Sequence, residues 1–213
     1  MMLASAAVLS SLNLGTLEAI AQPVEDNASS SLRGFFERIF RDDEWEDPPT
    51  ISRGELCLLT PARPGQETMI WHQNPVFVWH GEIAKMEVVD SVTDTVMWQY
   101  APTTEQISVT YSGETLQAGR LYLWRVYDDI GSMSPTVFPP FTIMFDIRRR
   151  LIANGLAVAE SKVEGEASAA IARTEYFALR GLPVDALQSL FLIESTSEEL
   201  MEAQRETVRR LCE

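Results

Sequence analysis

The sequence predicts a chain that is mainly β and then α: an antiparallel β-sandwich over residues 51–145, followed by a small α-helical domain over residues 146–213. Three observations predict it. From Leu56 to Phe145 apolar residues recur mainly at every second position, in runs of four to eight residues separated by turn residues, the spacing of half-buried strands. Beyond Phe145 the apolar period becomes helical and prolines nearly vanish. With 213 residues, 46% hydrophobic and 23% charged, the chain can bury a core without the composition of a membrane protein.

Residues 1–21 read as a signal peptide. An apolar run from Leu3 to Leu17 leads to Ala19-Ile20-Ala21 before Gln22, the small-x-small pattern of a signal-peptidase site, although no Lys or Arg precedes the run. The run is too short for a membrane anchor, which needs ~20 apolar residues. An N-terminal core helix with Leu9, Leu12 and Leu17 in line is the alternative. Residues 22–50 read as a flexible acidic linker holding one short amphipathic helix, in which Phe36, Ile39 and Phe40 fall at i, i+3, i+4. Five acids in the six positions 42–47 repel one another, and Pro48-Pro49 stops any helix. The aromatics of this piece either pack back on the following domain or dock on a membrane or a partner.

Eight strands are expected at 55–59, 68–72, 76–80, 84–90, 95–100, 106–111, 121–128 and 136–145, with no helix-length run between them. Many short strands in about ninety residues argue for a sandwich rather than a parallel sheet. The most specific stretch is Leu116-Gln117-Ala118-Gly119 followed by Tyr122, Trp124 and Val126 on one face of a strand and Leu123, Arg125 and Tyr127 on the other. It resembles the late strand of fibronectin type III and related immunoglobulin-like domains, with Pro75-Val76-Phe77-Val78-Trp79 as an early core strand. That resemblance covers residues 75–145 and implies a fold, not an activity.

Residues 52–61, Pro75 to Gly81, Tyr111 to Gly119, Asp185-Ala186-Leu187-Gln188 and the final Leu211-Cys212 are similar to a family of secreted cyanobacterial proteins of unknown function. This likeness spans residues 52–213 and implies an exported protein with a sandwich and a helical tail.

In the tail, residues 146–160 place Ile147, Leu151, Ile152, Leu156 and Ala159 on one side. Residues 166–180 carry Ala170, Ile171, Tyr176 and Phe177, and residues 183–194 carry Leu187, Leu190 and Phe191. Gly181 and Pro183 stand where one helix ends and the next begins. Thr196-Ser197-Glu198-Glu199 has capping-box spacing and opens a last helix with Leu200, Gln204, Val208 and Leu211 in line. The stretch from Tyr176-Phe177 to Leu187 is similar to part of a tetratricopeptide-type helical hairpin, but one repeat is fewer than the roughly three a solenoid needs.

The 17 Lys+Arg against 31 Asp+Glu give a formal net charge of −14, which repels phosphate backbones and argues against nucleic acid as a partner. No nucleotide-binding, nucleophile-elbow or zinc-protease motif occurs. His72 and His80 each follow a Trp at a strand end and lack further zinc ligands nearby in sequence. Ser161-Lys162 lacks a neighbouring base. Asp90, Asp94, Asp128 and Asp129 are carboxylates for calcium or simply a solvated rim. No cofactor is expected. Of the five tryptophans, Trp79, Trp98 and Trp124 run in phase with core residues, which leaves Trp71 and Trp45 as candidate ligand-stacking platforms. Cys57 and Cys212 are the only cysteines; in an exported chain an even number invites a disulfide, the alternative being two separate buried thiols. The expected function is a non-catalytic protein-interaction or structural module of the cell envelope, periplasmic or secreted, with a protein partner and no membrane span in the mature chain. The alternative is a carbohydrate-binding module.

Overall fold

A computed structural model describes residues 56–193 and 198–212. The expected signal peptide, the expected acidic linker and amphipathic helix, Trp45, and the Thr196-Ser197 half of the capping box lie outside the described residues.

Eight strands alternate with turns as the apolar pattern requires: β1 (Cys57–Thr60), β2 (Thr68–Ile70), β3 (Val76–His80), β4 (Lys85–Asp90), β5 (Thr95–Tyr100), β6 (Ser108–Thr110), β7 (Leu121–Tyr127) and β8 (Pro140–Ile143). They form a three-stranded sheet in the order β1-β3-β6 and a five-stranded sheet in the order β2-β8-β7-β4-β5. All pairings are antiparallel except β2 with β8, which is parallel with Ile70 opposite Ile143. The expectation of a wholly antiparallel sandwich is corrected here. No hairpin constrains strands this far apart in sequence, and the intervening chain supplies the crossover that a parallel pair needs. Strand β8 begins at Pro140 rather than at Thr136; Pro139 and Pro140 have no N–H for a ladder, and the upstream contact shrinks to a single bridge between Val126 and Val137.

The two sheets share one core. Leu58, Phe77 and Trp79 from the small sheet meet Ile70, Met86, Val88, Trp124, Val126 and Ile143 from the large one, with the Phe77 and Trp124 rings 4.9 Å apart. Trp79 and Trp124 are buried as expected, whereas Trp98 is half-buried, stacked between Phe77 and Tyr100 with its N–H donated to Ser112. At the Leu116–Gly119 turn, Gly119 has φ +75°, and a Cβ there would lie 2.7 Å from the Phe145 ring. Only glycine fits. The Tyr122 hydroxyl oxygen accepts the Gln117 N–H at 2.9 Å and ties this turn to the strand that follows.

Four helices follow: α1 (Asp146–Glu160), α2 (Glu166–Ala178), α3 (Pro183–Phe191) and α4 (Glu198–Cys212). Pro183 takes the first turn of α3, where its missing N–H costs nothing. Strand β3 is apolar at four consecutive positions because it is buried on both faces. Phe77 and Trp79 point to the large sheet, while Val76 and Val78, with Leu59, meet Leu187 and Leu190 of α3 and Val208 of α4. The small sheet is therefore the middle layer of three. Cys57 at the start of β1 is disulfide-bonded to Cys212 at the end of α4, with the Cα atoms 5.8 Å apart, so the last helix runs back to the first strand. Among the described residues no helix is long and apolar enough to cross a membrane.

Helix α1 departs from its expected orientation. At 100° per residue Ile147, Leu151 and Val158 fall within about 40° of one another, and Ile152 and Leu156 within about 40° on another face. The second stripe is buried, but Ile147, Leu151 and Val158 are 70%, 67% and 58% exposed. The main partner of α1 is α2 alone, and one neighbouring helix can cover only one stripe.

Candidate functional site

Strands β2 and β8 leave the large sheet side by side, the Met144 N–H donating to the Ile70 carbonyl at 2.8 Å. Their exits place Trp71 against the first turn of α1. The Trp71 indole N–H donates to the Arg149 carbonyl and Arg149 Nε donates to the Trp71 carbonyl, both at 3.0 Å. The Arg149 guanidinium lies 5.7 Å from the indole ring centre, and Phe177 of α2 packs 5.6 Å from the indole and 5.5 Å from the His72 imidazole.

Strand β2 ends at Ile70 rather than at His72 because α3 takes the next two amides. Asp185, in the first turn of α3 and 1% exposed, accepts the Trp71 N–H at 2.9 Å and the His72 N–H at 3.4 Å on Oδ1, which also lies 2.8 Å from His72 Nδ1. One turn on, Gln188 Oε1 accepts the Val76 N–H at 3.0 Å. A buried polar strip on α3 thus satisfies the open backbone donors of the β2–β3 connection, as buried N–H groups require. Asp185 Oδ2 and Gln188 Nε2 are buried without a hydrogen-bond partner.

Beside this corner is an open cavity of about 390 Å³, walled by Trp71, His72, Leu156 and Leu192 and edged by the Glu160–Arg173 ion pair at 2.7 Å. With Nδ1 against Asp185, the remaining polar atom of the His72 ring is Nε2. A carboxylate that orients an imidazole is the second half of a nucleophilic triad, but among the described residues no Ser, Thr or Cys side chain bonds His72. The Ser161 hydroxyl donates instead to the Val158 carbonyl.

His80 is exposed at the far end of β3, opposite Cys57, so the two histidines do not converge. Among the described residues no group of three or more His, Cys, Asp or Glu side chains is placed to hold a metal. The Asp90 carboxylate accepts the backbone N–H groups of Thr93 and Val92 and faces Arg120 at 2.8 Å, and these contacts, the Thr93 amide foremost, hold it below the usual carboxylate range. Asp94 pairs with Arg125. Asp129 accepts the Gly131 N–H at 3.0 Å, and Asp128 is exposed. These carboxylates are turn and ion-pair residues.

Trp71 therefore lines a cavity, while Trp45 is outside the described residues. Nothing in the local sequence marks Asp185 and Gln188 as a buried polar strip, and the apolar period does not separate the buried stripe of α1 from the outer one. Arg148 and Arg150 flank that stripe about 60° to either side. Both are exposed and neither has a carboxylate partner among the described residues. Phe145 at 62% and Leu179 at 86% exposure extend the apolar surface at this end of the hairpin. No protein-family model matches the chain, and neither does any curated protein.

Proposed function

We propose that the chain is an exported, non-catalytic protein-interaction module of the cell envelope, periplasmic or secreted. The observation that carries this reading is the α1–α2 hairpin, whose outer face holds Ile147, Leu151 and Val158 in one exposed stripe between two arginines without carboxylate partners among the described residues. A contiguous apolar surface rimmed by polar groups marks a binding surface. Export is supported by the apolar N-terminal run with Ala19-Ile20-Ala21, by the Cys57–Cys212 pair, and by the likeness to secreted cyanobacterial proteins. An immunoglobulin or fibronectin type III framework over residues 51–145, followed by a helical domain over 146–213, is supported by the three-plus-five strand arrangement and by the Tyr122 hydroxyl bonded to a backbone amide upstream.

The test is made in the native host. Mass spectrometry should find a mature chain beginning at or near Gln22 in the envelope fraction. Cross-linked partners captured by the wild type should be lost from the double variant Ile147→Asp, Leu151→Asp. An intact Met1 in a cytoplasmic fraction, or identical partners for both proteins, would overturn the proposal.

One observation favours a second reading, carbohydrate binding: Trp71 shares its cavity with His72, Glu160 and Arg173, an aromatic among hydrogen-bonding groups. Against stacking, the indole N–H is already used and Arg149 and Phe177 crowd the ring. Envelope polysaccharide titrated against the wild type and Trp71→Phe decides it; a saturable fluorescence change lost in the variant supports sugar binding.

A further inference from the structure

We propose that the outer face of α1 binds the chain's own acidic, aromatic segment, residues 35–47. The proposal rests on the reading of α1 as an interaction face and names the segment that covers this face in the free chain, which an envelope partner must displace.

The face has a defined chemistry. Apolar side chains of Phe145, Ile147, Leu151 and Val158 lie exposed, flanked by Arg148, whose described polar contact is the Met69 sulfur at 4.0 Å, and by Arg150. Most other arginines among the described residues face carboxylates: Arg120, Arg125, Arg149, Arg173, Arg205, Arg209 and Arg210. In a chain with 31 acids and 17 bases, two neighbouring arginines without an acid among the described residues, beside an apolar stripe, call for a ligand that is both anionic and hydrophobic. Residues 35–47 have that composition. Phe35, Phe36, Ile39 and Phe40 supply apolar surface, and Asp42-Asp43-Glu44-Trp45-Glu46-Asp47 supplies five carboxylates around one more aromatic.

The tether is long enough. Residues 48–55 join this segment to Leu56, and nine peptide steps reach about 30 Å. Cys57 pairs with His80 at one end of β3, and the five residues of β3 return the chain about 13 Å to Val76, at the end of the sheets where α1 begins. Docking within one chain also avoids the translational cost of recruiting a separate partner.

Hydrogen exchange read by mass spectrometry on the full chain tests the proposal. Amides of residues 35–47 should exchange at least about tenfold slower than in the free peptide, and the slowing should shrink as salt screens the arginines. The variant Arg148→Glu, Arg150→Glu should abolish it, with unchanged exchange in β3, β4 and β7 showing that the fold is intact. Adding Asp43→Lys, Glu44→Lys and Glu46→Lys to that variant should restore it. Unprotected amides in the wild type overturn the proposal, as does protection that rises with protein concentration, which would assign the face to a second copy. If 35–47 is unprotected but Ile147→Asp, Leu151→Asp still loses envelope partners, the occupant is another protein and the interaction reading stands without this one.

Discussion

Tyr176 of α2 lies against Gly155 of α1 so closely that a Cβ at position 155 would be 1.9 Å from the Tyr176 hydroxyl oxygen and 2.6 Å from Cζ. The glycine sits inside a helix, where it costs up to about 1 kcal/mol relative to alanine. Here it lets two helices approach until a tyrosine ring fills the space between them. The ring is 8% exposed and packs with Met144, Ile152, Leu156 and Phe177.

Gly155→Ala should therefore destabilise the protein despite its better helix propensity. Overpacking of this kind costs about 1–3 kcal/mol, so we expect a net loss near 1–2 kcal/mol in chemical denaturation. Because ring carbons as well as the hydroxyl meet the new methyl, Tyr176→Phe should relieve the penalty only in part. Tyr176→Leu should relieve most of it in a double-mutant cycle. An alanine variant as stable as the wild type would refute the contact.

Asp185 holds the β2–β3 connection onto α3, and two variants separate its roles. Asp185→Ala leaves the Trp71 and His72 amides without an acceptor in a buried place, at a cost of about 3 kcal/mol. Asp185→Asn keeps an oxygen for them and should cost about 1 kcal/mol. Urea midpoints measure both. Equal losses in the two variants would mean that the charge, rather than the acceptor, matters.

How far such features can be read in advance depends on what carries them. Among the described residues, the eight strands and four helices follow from apolar period and from turn residues such as Gly119 and Pro183, both local signals. The parallel pairing of β2 with β8 has no local signal, since it joins residues 73 positions apart. Helix α1 carries two apolar stripes, and a periodicity count merges them; which stripe is buried depends on α2 arriving from one side. Asp185 is legible as an acid in a helix's first turn, but its burial is decided by amides left open more than 110 residues upstream. The cysteine pairing was open to inference because two cysteines allow one connectivity.

That pairing makes the third prediction. The Cys57–Cys212 bond closes a loop spanning 155 positions, for which chain entropy assigns on the order of 5 kcal/mol as an upper figure. Reducing it, or replacing both residues with Ser, should lower stability by about 3–5 kcal/mol and free α4 before the sheets, because α4 meets β1 and β3 through a single layer that includes Leu59, Val78 and Val208. Thiol titration of the unfolded, unreduced protein should find no free thiol. Two thiols per chain in protein purified from an oxidising compartment would reject the bond.

The final prediction concerns acid. Near the end of α4, Glu206 accepts hydrogen bonds from Arg209 Nε at 2.9 Å and Nη2 at 2.8 Å, and from Arg210 Nε at 2.8 Å. The Arg209 bonds, followed by those of Arg210, bring its carboxyl down from 4.5 to about 2. A folded-state value below the unfolded one means that ionised Glu206 favours the native state. That contribution is complete above about pH 4.5 and disappears as the pH falls through 2. The site is exposed, so solvent and salt weaken the effect, and the neighbouring Cys212 anchors the helix end in both protonation states. Melting temperatures of the wild type and Glu206→Gln, taken from pH 7 to pH 2, should differ in favour of the wild type at neutral pH and converge between pH 4.5 and 2. A gap that stays constant over that range would show that the triad does not control the titration, and one that widens toward acid would reverse the sign argued here.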